Sequence, residues 1–213
     1  MVEVADLGDA AAAKEAFGRL ATTPGLPPLS QRVPAAARPA LAAFLGRAGL
    51  ADDAFPHTEI WAAGIVLANA ARGRDPGSGV DRALIAGAKR VEGLETFEQQ
   101  YGVFDALPPT EQADLLLALA GEADEAFDGK QVSQWLTGDL AGLERNSATG
   151  VLADPELREA LQAARNRRWA ERIGQLLASR ERPFVAVGEA HMFGDENLPE
   201  LLKARGYTVR RVQ

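Results

Sequence analysis

The feature that most constrains the fold is a short apolar run near the C-terminus that a histidine follows. Residues 184–187 read Phe-Val-Ala-Val, a composition typical of an inner strand of a parallel sheet. Gly188 ends the run, and His191 follows before a helix that is predicted to begin near Asn197. Chemistry in open α/β sheets collects at the carboxyl ends of strands. His191 is therefore the first candidate for a functional residue; the alternative is that it caps or packs its loop.

Three further short strands are predicted, at Val2–Ala5, Arg90–Leu94 and Thr208–Val212. Helical patterns separate the strands, and long crossover connections favour parallel neighbours. The sequence therefore predicts an α/β fold with a small, mostly parallel central sheet and many surrounding helices. A large helical insertion is expected between residues 10 and 80, another between 109 and 150, and a flexible turn at 72–79. We expect one domain over residues 1–213.

Composition excludes several classes of function. A net charge of −7 without a basic cluster argues against a nucleic-acid partner. The chain has no cysteine, so disulfides, thiolate catalysis and zinc–sulfur sites are excluded. No apolar run approaches the roughly 20 residues that cross a bilayer, and no signal peptide is visible at Met1.

Polar side chains lie within or just past the predicted strands. Glu3, Glu95 and His191 each follow apolar residues that would carry them to the sheet edge. Because parallel strands end at one edge, we expect Glu95 and His191 to face a common cleft with Glu3 at its side. Two carboxylates and an imidazole can hold a divalent ion or share acid–base work. Arg165 is expected to reach into this cleft from a long helix, where it could bind a substrate carboxylate, pair with Glu95 or serve as a buried salt bridge.

Three ordered motifs resemble the TraB/GumN family, which includes the Tiki-type proteases. The sequence GEAH at 188–191 resembles the second Gly-x-x-His motif of that family. The segment RVEGLET at 90–96 resembles its G-L-E-T segment, and RNRRWAERI at 165–173 resembles its R-N-x-x-W helix. Their order and spacing match over roughly residues 80–213, and residues 1–9 resemble an earlier strand of the family.

The resemblance implies a metal-dependent hydrolase, with peptidases among the candidates, acting on a peptide or small molecule. It implies a divalent ion such as Mn²⁺, Co²⁺ or Zn²⁺. The residues that match the family motifs are, as catalytic candidates, Glu3, Glu95, Arg165 and His191; as substrate-binding candidates, Asn166 and Gly188; and as metal ligands, Glu95 and His191.

The chain departs from the family at its start. Members of the family begin with a strand that ends in Gly-Thr-x-His, whereas this sequence begins at Met1, just after that strand would lie. His57, the other histidine, has neither the glycine nor the strand context. We therefore expect a domain that is N-terminally incomplete relative to the family, binds metal weakly and exposes a sheet edge beside Met1–Ala5. Such an edge favours self-association, for example as a homodimer, or coverage by a helix.

Two functional hypotheses remain open. The first is the hydrolase, periplasmic or secreted where an upstream signal peptide exists. The second is a non-catalytic binding or scaffold protein linked to polysaccharide export or cell-surface signalling.

Overall fold

The computed structural model describes residues 1–72, 79–122, 126–179 and 182–212. The chain divides into two compact units. Unit 1 comprises Met1–Asp9, Ser78–Thr96 and Lys130–Gln213, and unit 2 comprises Ala10–Gly77 and Phe97–Gly129. Unit 2 thus consists of two stretches that interrupt unit 1 in sequence. Residues 73–78 of the predicted turn lie outside the described residues.

The sheet of unit 1 is small and parallel, as predicted. Strand β1 (Val2–Val4) pairs in parallel with β2 (Gly93–Glu95), with Val2 opposite Gly93 and Val4 opposite Glu95. Val2 and Val4 are buried. Because successive side chains of a strand point to opposite faces, Glu3 faces away from these valines. The chain is mostly helical around this sheet, so the α/β assignment is correct in outline, with fewer strands among the described residues than expected.

The prediction of a strand at Phe184–Val187 is wrong, although the segment lies where the strand was expected. It runs beside β1, where the Ala186 amide donates to the Met1 carbonyl at 2.9 Å and the Met1 amine bonds to the Phe184 carbonyl. These main-chain bonds are too few to form a strand. They nevertheless cover the side of β1 that was expected to be an open edge. The segment Thr208–Val212 also forms no strand, and Val212 is exposed, since β-branched residues form strands only where a partner strand is available.

Unit 1 also contains several helices. They are α4 (Val80–Gly87), α8 (Leu140–Ser147), α9 (Pro155–Arg158), α10 (Ala164–Ala178) and α11 (Leu198–Ala204), together with the part of α7 (Ala126–Thr137) from Lys130 onward. A π-helical turn at Glu159–Ala163 joins α9 to α10, so one continuous helical segment runs toward the C-terminus. The segment begins at an N-cap: the Asp154 side chain accepts a hydrogen bond from the Leu157 amide, and Pro155 occupies the first helical position.

The core of unit 1 packs α10 and α11 together. Trp169, Ala170, Ile173 and Leu198 are buried there, with Val185 and other partly buried residues against them. The buried residues of α10 recur at helical spacing, so one face of the helix is buried while the other carries charge. Because this face is packed in the core, it fixes the position of the polar residues in the first turn of the helix.

Unit 2 is helical. It contains α1 (Ala10–Leu20), α2 (Arg38–Ala48), α3 (Ile60–Arg72), α5 (Phe97–Asp105) and α6 (Pro109–Glu122). Leucines, alanines and Phe44 of α2, α3 and α6 form its main core. Pro39 lies in the first turn of α2, where a missing backbone donor costs nothing. Within the described residues, no helix has the length and apolarity to cross a membrane.

Candidate functional site

The predicted polar residues of unit 1 meet beside the carboxyl ends of β1 and β2. Glu3 lies in β1 and Glu95 ends β2. Arg165 lies in the first turn of α10. His191 lies in a 3-10 turn, Glu189–Met192, which follows Gly188 directly. Strand ends, one helix and one turn therefore position the side chains.

Arg165 links the two strands through their carboxylates. Its Nη2 lies 2.5 Å from Glu95 Oε1 and 3.0 Å from Glu3 Oε2, and its Nε donates to Glu95 Oε2 at 3.3 Å. Its Nη1 donates to the Leu161 carbonyl at 3.0 Å. The side chains of Arg165 and Glu95 are 11% and 3% exposed, so this is a buried pair, and both Glu95 oxygens are engaged. Of the alternatives for Arg165, the geometry shows the pairing with Glu95.

Trp169 supports this pair and His191 from the core. The Arg165 guanidinium carbon lies 4.5 Å from the Trp169 ring centroid, a cation–π distance. The His191 ring centroid lies 4.4 Å from that of Trp169. Because Trp169 is buried, it limits the orientations that both polar side chains can adopt.

Asn166 determines which nitrogen of His191 carries the proton. Asn166 is fully buried, and its Nδ2 donates to the carbonyls of Glu196 at 2.8 Å and His191 at 3.4 Å. Its Oδ1 therefore accepts, and it lies 2.6 Å from His191 Nδ1. Nδ1 must carry the hydrogen, which leaves the Nε2 lone pair free.

The environment keeps His191 neutral. Burial, and then the positive charge of Arg165, lower the pKa of His191 from 6.5 to about 3. A group with so low a pKa is a poor general base near neutral pH. A neutral imidazole with a free Nε2 and an oriented Nδ1–H is, by contrast, the form that binds metal ions.

The carboxylate that faces His191 belongs to Glu3. Its Oε1 lies 3.9 Å from His191 Nε2 and accepts a hydrogen bond from the Gly188 amide at 2.7 Å. Two acceptor atoms thus face each other across a gap too long for a direct hydrogen bond. A cation, or the donor hydrogen of a water or substrate, would satisfy both.

Two of these residues carry atoms of the kind that ligate metal ions. His191 Nε2 and Glu3 Oε1 are suitable donors, and Asn166 supplies the outer hydrogen bond that metal-binding histidines usually have. Among the described residues, no other histidine or acidic side chain completes a compact ligand group with these two. Glu95, predicted as a metal ligand, instead directs both oxygens to Arg165.

The sequence interpretation missed two contributors near this site. Burial, and then the negative charge of Glu3, raise the pKa of Asp81 on α4, so Asp81 is an acidic neighbour of Glu3. Gln162 is buried, and its Nε2 bonds to the Ala190 carbonyl and donates to that of Phe193 at 3.3 Å. The spacing of Gln162 and Asn166, four residues apart on one helical face, could have indicated Gln162.

Comparison with known proteins gives one result. The sequence matches the TraB/PrgY/gumN family over residues 1–211. Neither a curated protein nor a solved structure matches it. The match includes the strand, helix and turn that supply Glu3, Arg165 and His191. The chain therefore belongs to the TraB/PrgY/gumN family.

Proposed function

We propose that the protein is a metal-dependent hydrolase, with peptides as the first substrate class to test, and that Glu3 and His191 hold the cation. The observation that carries the proposal is the free Nε2 of a neutral His191 facing Glu3 Oε1 at 3.9 Å. When bound, a divalent cation supplies Lewis acidity for hydrolysis.

The surrounding residues prepare these two donors. Asn166 holds the imidazole in the tautomer that leaves Nε2 unprotonated, and Arg165 binds the Glu3 oxygen that does not face the histidine. The Gly188 amide fixes the other Glu3 oxygen. We assign Glu95 the role of holding Arg165 in place. Glu95 is therefore a positioning residue, and it does not bind the cation.

Two protein donors are fewer than the three that catalytic zinc sites use, so we expect weak metal affinity. Calorimetric titration with Mn²⁺, Co²⁺ and Zn²⁺ should give dissociation constants of about 10⁻⁵ M or weaker, and His191→Ala should abolish binding. Sub-micromolar binding that survives His191→Ala would place the metal elsewhere and refute the assignment.

Hydrolysis is tested separately with a quenched fluorescent peptide library in the presence of each cation. Glu3→Gln and His191→Ala should each remove the cation-dependent cleavage. Glu200→Gln, a change at an exposed carboxylate whose partner is Lys203, is the matched control and should leave cleavage unchanged.

A second candidate, a non-catalytic scaffold, is favoured by the pairing of Arg165 with Glu95 and Glu3. A network of this kind can be purely structural, because it holds α10 against the sheet without any need for catalysis. Cleavage distinguishes the two functions, because a scaffold shows none with any cation. The stability of the protein depends on Arg165 in both cases.

A further inference from the structure

A second concave site lies in unit 1 beside the turn that carries His191. It is a groove of about 380 Å³ between the C-terminal end of α8, the π-helical turn and residues 194–196. Its lining includes the carboxylates of Glu144 and Asp195 and the buried amide of Gln162. Ala148, Pro155 and Ala163 contribute apolar surface.

Gln162 presents an unused acceptor to this groove. Gln162 is 6% exposed, and its Nε2 is committed to the carbonyls of Ala190 and Phe193. The amide orientation is therefore fixed, and no described residue donates to Oε1. A Cβ at Gly194, another lining residue, would lie 3.9 Å from Oε1, so this oxygen points toward the groove. Oε1 is not one of the fully buried side-chain atoms without a partner among the described residues, so this acceptor is open to a donor of a ligand or of solvent in the groove.

The charge in the groove is also unbalanced. Arg167 pairs with Glu159 and Glu196, which neutralises those carboxylates in part. Arg158 also lines the groove, and it bonds to backbone carbonyls, so its positive charge offsets one of the lining carboxylates. No described residue forms an ion pair with Glu144 or Asp195.

We infer that this groove binds an organic cation, an ammonium or guanidinium group on an aliphatic stem. Glu144 and Asp195 supply negative charge, Gln162 Oε1 accepts a hydrogen bond, and the apolar surface covers the stem. A bare divalent ion fits less well, because these carboxylates form no compact ligand group within the described residues. The group can come from a lysine or arginine side chain of a peptide or from a free polyamine.

The groove shares a wall with the proposed catalytic turn, because Gln162 holds the carbonyl of Ala190, the neighbour of His191. A role as the subsite for a basic substrate residue rests on the proposed hydrolase function. Cation binding itself does not depend on hydrolysis, and the two are measured separately.

The test is an NMR titration of ¹⁵N-labelled protein at low salt. N-acetyl-arginine amide should shift the Gln162 side-chain amide and the backbone amides of 194–196, whereas the neutral isostere N-acetyl-citrulline amide should not. Equal shifts from both compounds would overturn the proposal. So would shifts from CaCl₂ with none from the arginine compound.

Matched variants separate this site from general electrostatics. The double variant Glu144→Gln/Asp195→Asn should weaken arginine amide binding about tenfold, since charge pairs of this kind contribute modestly. The double variant Glu156→Gln/Glu171→Gln removes the same charge from acids outside the groove and should change binding less than twofold. Equal weakening by both would refute a specific site.

Two further arms identify the source of the cation and its relation to catalysis. Tighter binding of acetyl-Ala-Arg-Ala amide than of spermidine supports a peptide, and the reverse order supports a free polyamine; failure of both to bind overturns the proposal. His191→Ala should keep cation binding. Retained binding without any hydrolysis would refute the proposed function while supporting the groove.

Discussion

Removal of the Arg165 guanidinium is the sharpest test of how the site is held together. In Arg165→Met, the Glu95 carboxylate, whose side chain is 3% exposed, loses the partner of both its oxygens, and Glu3 loses its partner at 3.0 Å. Breaking one side of a buried ion pair costs about 3–5 kcal/mol because the remaining charge stays desolvated. We therefore expect the free energy of unfolding to fall by that amount.

A double-mutant cycle isolates the pair. Glu95→Gln should cost about 1–3 kcal/mol, less than Arg165→Met, because Arg165 retains Glu3. The double variant should cost less than the sum of the single changes, with a coupling of about 1–3 kcal/mol. Urea denaturation followed by circular dichroism measures each value.

Arg167→Met is the matched control, since Arg167 lies on the same helix and its ion pairs with Glu159 and Glu196 are exposed. It should cost no more than about 1 kcal/mol. Equal costs for Arg165→Met and Arg167→Met, or additive effects in the cycle, would refute the buried pair.

Three other predictions concern the histidine and its neighbours. The imidazole signals of His191 should stay constant from pH 8 to about 4 by NMR, with His57 as the second histidine for comparison, because the folded-state pKa is about 3. The unfolded chain binds this proton near pH 6.5 and the folded chain does not, so the free energy of unfolding falls as the pH drops below 6.5. Between pH 7 and pH 5 the unaltered protein should lose about 2 kcal/mol more of this free energy than His191→Gln does. Equal losses in the two proteins would contradict the lowered pKa. Asn166→Leu removes the acceptor that fixes Nδ1–H, so ¹⁵N shifts should reveal a change in the His191 tautomer population; an unchanged tautomer would show that Asn166 does not set it. Gly188→Ala places a Cβ 3.2 Å from Glu3 Oε1, so it should displace that oxygen and lower any cation-dependent cleavage. The free energy of unfolding should fall by about 1 kcal/mol at most, because the side chain of Glu3 can move. Full activity would show that the position of Glu3 is not critical.

Local patterns determined the elements that supply the site. The apolar run before Gly188 predicted a strand that does not form, yet it correctly predicted that His191 lies just past a segment next to β1. Asp154-Pro155, an N-cap residue followed by proline, is a local signal for the start of the helical segment that carries Arg165. The parallel pairing of the first strand with the strand near Glu95 was also confirmed. These features depend on neighbours in sequence, or on the general rule that crossover connections make strands parallel, so a sequence can predict them.

Only the tertiary structure decided which partner each side chain has. Glu3, and not Glu95, is the carboxylate that faces His191 Nε2, because Arg165 engages both Glu95 oxygens. Asn166 matched a motif as a substrate-binding candidate, yet its full burial and its bond to Nδ1 depend on how the α10 face packs against the turn. The segments at 184–187 and 208–212 have strand-like composition but form no strand. Composition states what a segment can form, whereas hydrogen bonds between residues far apart in sequence require a partner at the right distance, which only packing provides.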